Sequence, residues 1–278
     1  MLMYIALAIV GLATGTGASM LGVGGGVIFV SAVYYLYSFY DVPLDFAMKS
    51  AVATSLAAIL FTMISGGIGH FQKKNYIPRA VPYIAAGCVV GALTGARLTI
   101  ILPGNYLKII FGIMLIIISL RMIFQKQEPA STGKKEARQS AISFLVTGLS
   151  AGFTGGLLGV GGGIIIVPAL SIWLGYPIHK TIGTSTIVII FTALAGLSQL
   201  VFATPSFGTA PHTIGYLNYA AAAALIPTSM LGARLGVILS LKTRPSRLRK
   251  GFALVSLLVG IEMTGIFTLV RVILENLF

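Results

Sequence analysis

The segment LGVGGGVIFV at residues 21–30 recurs almost unchanged as LGVGGGIIIV at residues 158–167. Each copy places four glycines within five consecutive residues, inside an otherwise very apolar chain. Because glycine adopts left-handed backbone conformations that other residues avoid, such a cluster predicts a break or sharp reversal between two helices. The second copy predicts that the chain is built from two similar halves.

The composition is that of a membrane protein. Of the 278 residues, 56% are hydrophobic and 9% are charged, and the mean hydropathy is +0.97. A soluble domain carries roughly 25% charged residues. Apolar runs of membrane-spanning length, about 20 residues, recur from end to end. We therefore expect a multi-pass protein of the cell membrane.

The net charge of +13 does not indicate a nucleic-acid partner, because nearly all Lys and Arg residues lie between the apolar runs. The single cysteine, Cys88, lies inside an apolar run, which excludes a disulfide framework and a cysteine metal site. The apolar N-terminus lacks the basic start of a signal peptide and matches an internal segment, so we expect it to be retained.

Further matches define the repeat. VATS at residues 52–55 matches IGTS at residues 182–185, and GARL occurs at both 95–98 and 232–235. The polar stretch 125–139 separates the halves and predicts a cytoplasmic linker between repeats at 1–124 and 140–278. Each half contains five apolar pieces, at about 3–20, 27–39, 47–69, 79–101 and 106–124, and at about 141–157, 164–174, 181–203, 214–238 and 251–274.

Loop charges indicate that the halves are inverted. The loop KKNYIPR at 73–79 is basic, whereas its counterpart at 203–216 contains no Lys or Arg. After the next apolar piece the charge difference between the halves is reversed, because the loop at 242–250 is more basic than its counterpart at 96–108. Basic loops stay cytoplasmic, so each half crosses the membrane an odd number of times. We predict an all-α fold with three full spans and one glycine-tipped hairpin or broken helix per half, and with both termini outside.

The glycine tips are the candidate binding site. A non-helical backbone inside a membrane is tolerated only where protein buries it or where it lines a watery cavity. The helix that follows begins with unpaired N–H groups and a positive dipole end, which together attract an anion. Two alternatives stay open: a carbonyl-lined channel filter and glycines that only permit close helix packing. The site residues are Gly24, Gly25, Gly26, Gly161, Gly162 and Gly163.

The twin LGVGGG segments, each followed by a [VI]-x-T-S helix and a GARL helix, resemble the TauE/SafE family of sulfite exporters. The resemblance implies a membrane carrier for small sulfur-containing anions such as sulfite or organosulfonates, with a channel or another small anion as the alternative. We expect no enzyme activity and no cofactor. The expected partners are the anion and the lipid bilayer, and a homodimer is left open. Ser31 departs from Pro168 at the matching place, which predicts unequal hairpins.

Two pairs of hydroxyl residues follow the tips: Thr54 with Ser55, and Thr184 with Ser185. Their hydroxyls can donate hydrogen bonds to the oxygens of an anion. The alternative is that they bond to carbonyl groups of their own helices.

Three charged residues complete the candidates. Arg97 and Arg234 occupy matching places, and arginine suits a bidentate contact with an oxyanion, although an interfacial anchor is the alternative. Glu262 is an isolated acid in an apolar run, which makes it a candidate for proton coupling. The sequence contains no H-E-x-x-H motif and no nucleophile–base arrangement.

Overall fold

The computed structural model describes residues 2–37, 39–40, 42–124, 140–205, 212–242 and 246–264. These residues form helices α1 Leu2–Leu21, α2 Gly26–Tyr37, α3 Leu44–Gln72, α4 Val81–Ile101, α5 Gly104–Phe124, α6 Ala141–Leu158, α7 Gly163–Pro168, α8 Ile178–Val201, α9 Tyr219–Lys242 and α10 Ser246–Met263. A π-helical turn, Ala169–Trp173, continues α7, and strands β1 Thr213–Ile214 and β2 Leu217–Asn218 form a small antiparallel hairpin.

The ten helices confirm the ten apolar pieces and the all-helical membrane class. Seven of them are long and apolar enough to cross a membrane: α1, α3, α4, α5, α6, α8 and α9. α1 and α6, which precede the tips, reach spanning length, whereas α2 and α7, which follow the tips, are shorter. The linker at 125–139 lies outside the described residues.

The β-hairpin replaces the predicted start of the ninth piece at residue 214. Gly215 has φ +55°, a left-handed conformation that reverses the chain between the two strands. The backbone N–H of Tyr216 donates to the carbonyl of Leu200, which ties the hairpin to the end of α8. Helix α9 consequently begins at Tyr219.

The two hairpins differ, as Ser31 and Pro168 predict. α2 is a continuous helix in which the Ser31 hydroxyl donates to the Val27 carbonyl. α7 ends at Pro168, and the chain then follows a π-helical turn. Proline lacks an N–H group and its ring crowds the preceding turn, so a regular helix does not continue through this position.

Helices of the first half pack against helices of the second half, in pairs that the repeat relates to one another. α4 packs along α6 and α1 along α9, while α3 packs against α8 and α5 against α10. In the α4–α6 pair, three glycines spaced four residues apart, Gly87, Gly91 and Gly95, face successive backbone segments of α6. The residue numbers rise together along both helices, so α4 and α6 run parallel.

α3 and α8 run antiparallel through the centre. Gly66, late in α3, lies opposite Thr186 early in α8, and Gly196, late in α8, lies opposite Leu56 early in α3. α3 is buried along most of its length, which makes it the central helix of the described structure.

The glycine contacts predict a large difference between two substitutions. In Gly91→Val, the added Cβ meets the Leu149 carbonyl and lies 2.6 Å from the Phe153 nitrogen, so the α4 and α6 backbones have to separate. We expect most folded protein to be lost, because overpacking costs roughly 1–3 kcal/mol even where side chains can move aside. The measurement is the monodisperse yield and melting temperature of detergent-solubilised protein.

Gly67→Ala is the matched control, since its Cβ lies 3.4 Å from Ile190 Cδ1, at ordinary contact distance. Wild-type yield from Gly91→Val would contradict the close packing of α4 on α6.

Candidate functional site

Both glycine segments form sharp backbone reversals of the same shape. Three glycines in each tip have positive φ, at corresponding positions of the repeat, and the following glycine begins the next helix. The values are 68°, 86° and 75° for Gly22, Gly24 and Gly25, and 70°, 81° and 85° for Gly159, Gly161 and Gly162.

The chain folds back at each tip, which makes the segments hairpins rather than broken straight helices. A Cβ on Gly25 would lie 2.7 Å from Thr14 Cγ2 and 3.0 Å from Ala18 Cβ, both in the preceding helix α1. In the second hairpin, a Cβ on Gly162 would meet the Ala151 carbonyl of α6. The helix after each tip, α2 or α7, therefore lies against the helix that precedes the tip.

The two tips meet each other in the interior of the protein. A Cβ on Gly24 would lie 3.0 Å from the Val160 carbonyl oxygen, and one on Gly163 would lie 2.8 Å from Val23 Cα. Residues 21–27 and 155–163 are buried. The two glycine breaks therefore face one another in the interior.

The tips leave backbone donors without partners. Within the described residues, no hydrogen bond is formed by the N–H groups of Gly24, Gly25 and Gly26, or by those of Gly161, Gly162 and Gly163. A buried polar group without a partner costs about 1–3 kcal/mol. Six such donors lie on two turns that meet, which makes the tips the candidate site for an acceptor-rich ligand.

The serines of the T-S pairs bind the tips, and each binds the tip of the other half. Ser55 donates to the Gly159 carbonyl at 2.7 Å, and Ser185 donates to the Gly22 carbonyl at 2.6 Å. Neither serine bonds to its own helix in the structure, so the back-bonding alternative does not describe them. Their hydroxyl protons are directed to the tip backbone.

The threonines of the T-S pairs bind loops. The Thr54 hydroxyl accepts a hydrogen bond from the Asn218 N–H at 3.0 Å, and the Thr184 hydroxyl accepts one from the Ile77 N–H at 2.8 Å. Thr184 also donates to the carbonyl of Lys180 in its own helix. The pairs therefore position the loops and tips, and any contact with an anion remains a prediction.

Two isoleucines fill the space between the tips, and sequence reasoning did not identify them. Ile59 and Ile189 are both 0% exposed and are separated by the same 130 residues as the T-S pairs. Ile59 Cδ1 lies 2.8 Å from a Cβ on Gly26, and Ile189 Cγ2 lies 3.0 Å from a Cβ on Gly161. Only their place in the repeat distinguishes them from other core residues.

A cavity of about 320 Å³ opens beside the tips, between α5, α6, α7 and α8. Its walls are mostly apolar, and it reaches Val23 of the first tip and Gly162 of the second. Arg121, near the end of α5, lies on its wall. The cavity therefore extends from the tips to residues near the end of α5.

The predicted arginines lie away from the tips. Arg97 is exposed and lines a separate cavity with Ser198 and Gln199 of α8. Arg234 is also exposed, and neither arginine lines the cavity beside the tips. Their assignment to the substrate stays a prediction that this arrangement does not support directly.

Other charged residues already have partners. Glu262 lies at the surface of α10 and accepts a hydrogen bond from the Tyr35 hydroxyl. Lys49 is buried and forms an ion pair with Asp45 at 2.9 Å, and Asp45 in turn accepts a hydrogen bond from the Gly104 N–H at 2.7 Å. Among the described residues, no group of three His, Cys, Asp or Glu side chains could hold a metal ion.

The fold and the site together define a multi-pass helical membrane protein with two glycine hairpins meeting at its centre. The family model described as "Sulfite exporter TauE/SafE" matches residues 7–263. The chain belongs to this family of membrane transporters, and the TauE/SafE resemblance of the twin motifs is confirmed. It is accordingly a transporter and not an enzyme.

Distant relatives span nearly the whole chain. The chain is 27% identical to "Probable membrane transporter protein YunE" of Bacillus subtilis, over 95% of this chain and 99% of the relative. It is 27% identical to a "Probable membrane transporter protein" of Haemophilus influenzae, over 92% and 96%. A Methanocaldococcus jannaschii protein of the same description is 28% identical over 87% and 88%. No solved structure matches the chain.

The crossed serine contacts predict the effect of Ser185→Ala. The substitution leaves the buried Gly22 carbonyl without its 2.6 Å partner, so we expect the free energy of unfolding to fall by about 1–3 kcal/mol. The melting temperature of the purified protein in detergent measures this loss. Thr186→Val is the control, because the Thr186 hydroxyl bonds only to Ile182 of its own helix. Equal melting temperatures for both variants would show that Ser185 does not hold the tip.

Proposed function

We propose that the protein is a secondary carrier for small sulfur-containing oxyanions such as sulfite or an organosulfonate. The observation that carries this proposal is the set of buried, unpartnered N–H groups on the two meeting glycine tips. The family description, sulfite exporter, supports the same class of substrate.

The chemistry of the tips favours an oxyanion over other solutes. The buried backbones of Gly24–Gly26 and Gly161–Gly163 offer N–H donors, while the nearby carbonyls of Gly22 and Gly159 are already bound by serines. A ligand at this place therefore meets several N–H donors. A compact anion with several oxygens can accept from both tips at once, and a buried anion needs that many partners.

The closed centre between the tips supports a carrier rather than a channel. Ile59 and Ile189 fill the space between the tips, and the surrounding tip residues are buried. An anion reaches the N–H groups only if these side chains or the hairpins move. A protein that binds its substrate behind such a barrier transports in steps and saturates, whereas an open filter would pass ions continuously.

Inverted halves, 1–124 and 140–278, are part of the proposal. Three features support them. The equivalent helices α3 and α8 pack antiparallel, and so do α5 and α10, which cross at Gly112 and Gly260. The third feature is the alternation of basic loops between the halves. An inverted repeat brings equivalent residues to the middle of the membrane, where carriers bind their substrates. Proton coupling through Glu262 and pairing into homodimers stay predictions.

Anion binding is tested by thermal shift on the purified protein. We expect sulfite or a short alkanesulfonate to raise the melting temperature by several degrees, because a ligand at 100 times its Kd stabilises the folded state by about 2.7 kcal/mol. Sodium chloride at equal ionic strength is the control for general salt effects.

A tethered carboxylate tests the tip assignment without depending on the choice of ligand. Valine at Gly25 or Gly162 would disturb the hairpins themselves, because their Cβ positions are occupied. Ile189→Asp instead places a carboxylate near the donors, so we expect it to fold and to lose the anion-induced shift. Val188→Asp, at the equally buried neighbouring position, should be much less stable. Equal instability of the two variants would show that the tips are not the anion-binding site.

Cysteine labelling tests the inverted arrangement. Lys73→Cys should react with a membrane-impermeant thiol reagent from the cytoplasm, and Ile214→Cys from outside, because their loops follow the equivalent helices α3 and α8. Both positions are exposed, and the native Cys88 is buried and should stay silent. Labelling of both cysteines from one side would show that the halves are not inverted.

A further inference from the structure

We infer that the cavity beside the tips is the entrance chamber for the anion, that it opens on the linker side, and that Arg121 draws the anion into it. The inference rests on the proposed function, since it concerns the access route to the same tips. It follows from the lining of the cavity and from the residues that occupy the matching positions in the other half.

The chamber joins the buried centre to the end of α5. Its volume is about 320 Å³, and its walls include tip residues of both halves, Val23 and Gly162. Arg121 lies three residues before the end of α5 at Phe124, directly before the linker. The chamber is thus a path between the linker side and the tips.

Arg121 is the one charged residue among the described residues that line the chamber. It forms no ion pair within the described part of the chain, where the recorded pair joins Lys49 and Asp45. A single cation on low-dielectric walls concentrates its field inside the space and raises the local concentration of anions. Arginine also remains charged at every physiological pH.

The matching helix carries the opposite charge. α5 and α10 align at a separation of 141 residues, which pairs Leu107 with Leu248, Phe111 with Phe252 and Met122 with Met263. The same alignment pairs Arg121 with Glu262. The position that offers a free cation to the chamber therefore holds an acid in the other half, where it would repel an anion.

The matching hairpin also carries larger side chains. Ser171 lines the chamber, and its counterpart 137 residues earlier is Tyr34; the neighbouring Ile172 corresponds to Tyr35. Tyr35 is hydrogen-bonded to Glu262, and Tyr34 lies under the Lys108 ammonium, 5.6 Å from the ring centre. At the matching positions of the other half, two tyrosines and a hydrogen-bonded carboxylate thus stand in place of Ser171, Ile172 and Arg121. This asymmetry gives the structure an entrance on the side where α5 ends.

The first test measures labelled sulfite flux into proteoliposomes. At about 0.02 M salt we expect Arg121→Gln to raise the half-saturating sulfite concentration about fivefold, and at about 1 M salt the difference should shrink below about twofold, because the Debye length falls to roughly 3 Å. Arg121→Lys should keep most of the wild-type value, which a purely structural role would not predict. Lys73→Gln is the control, since it removes one positive charge from an exposed loop that does not line the chamber.

The second test measures access to the chamber directly and needs no transport. Ser171→Cys should react with a thiosulfonate reagent that carries a sulfonate group, in vesicles whose linker side is exposed, and a short alkanesulfonate, which does not consume the reagent, should slow the reaction. Replacing Arg121 with Gln in the same protein should slow it as well. A chamber filled by lipid tails would not admit the charged reagent.

The outcomes separate the two proposals. If wild-type flux saturates but Arg121→Gln behaves like Lys73→Gln, and Ser171→Cys is silent or reacts from the opposite side, the chamber is wrong while the carrier proposal stands. If Ser171→Cys reacts from the linker side but no sulfite or sulfonate flux occurs, the chamber stands as an access route and the proposed substrate is wrong.

Discussion

The structure depends on how the backbone of the glycine tips is satisfied in an apolar interior. A membrane supplies no water to an exposed N–H or carbonyl, so a chain that leaves the helix must find other partners. Here the carbonyls and the donors of the tips are treated differently. Ser55 and Ser185 bind tip carbonyls, whereas the N–H groups of both tips stay unpaired among the described residues. These unpaired donors are the groups that the proposed anion would satisfy.

The same interaction joins the two halves into one unit. Ser55 belongs to the first half and binds Gly159 of the second, and Ser185 makes the reciprocal bond to Gly22. Ser55 makes a second, longer bond of 3.5 Å to the Gly26 carbonyl in the tip of its own half. The T-S pair thus recurs because each copy supports the hairpin of the other half, and its threonine fixes a loop of the other half as well. The repeated motif therefore holds the two halves together.

Local signals were enough to predict much of the fold. Hydropathy located the ten helical pieces, and the glycine clusters located both reversals, because each signal is carried by neighbouring residues. The serine contacts could not be predicted in the same way, since they join residues 104 and 163 positions apart. The π-helical turn depends on how Pro168 is accommodated, and the strand pair near Gly215 depends on the end of α8. Ile59 and Ile189 looked like any core residue until α3 and α8 were seen to cross.

Close packing restricts where the protein can move to admit a ligand. In the α4–α6 and α1–α9 pairs, glycines such as Gly91 and Gly232 bring backbone against backbone, so sliding would create clashes within each pair. These pairs also join the two halves. α5 packs chiefly on α10 and makes a smaller contact with α3. The side of α5 that faces the second hairpin borders a cavity. Movement that costs little packing is therefore concentrated between α5 and that hairpin. Because the hairpin ends in a tip held by Ser55 and flanked by Ile189, a shift there is transmitted directly to the place where the unpaired donors meet.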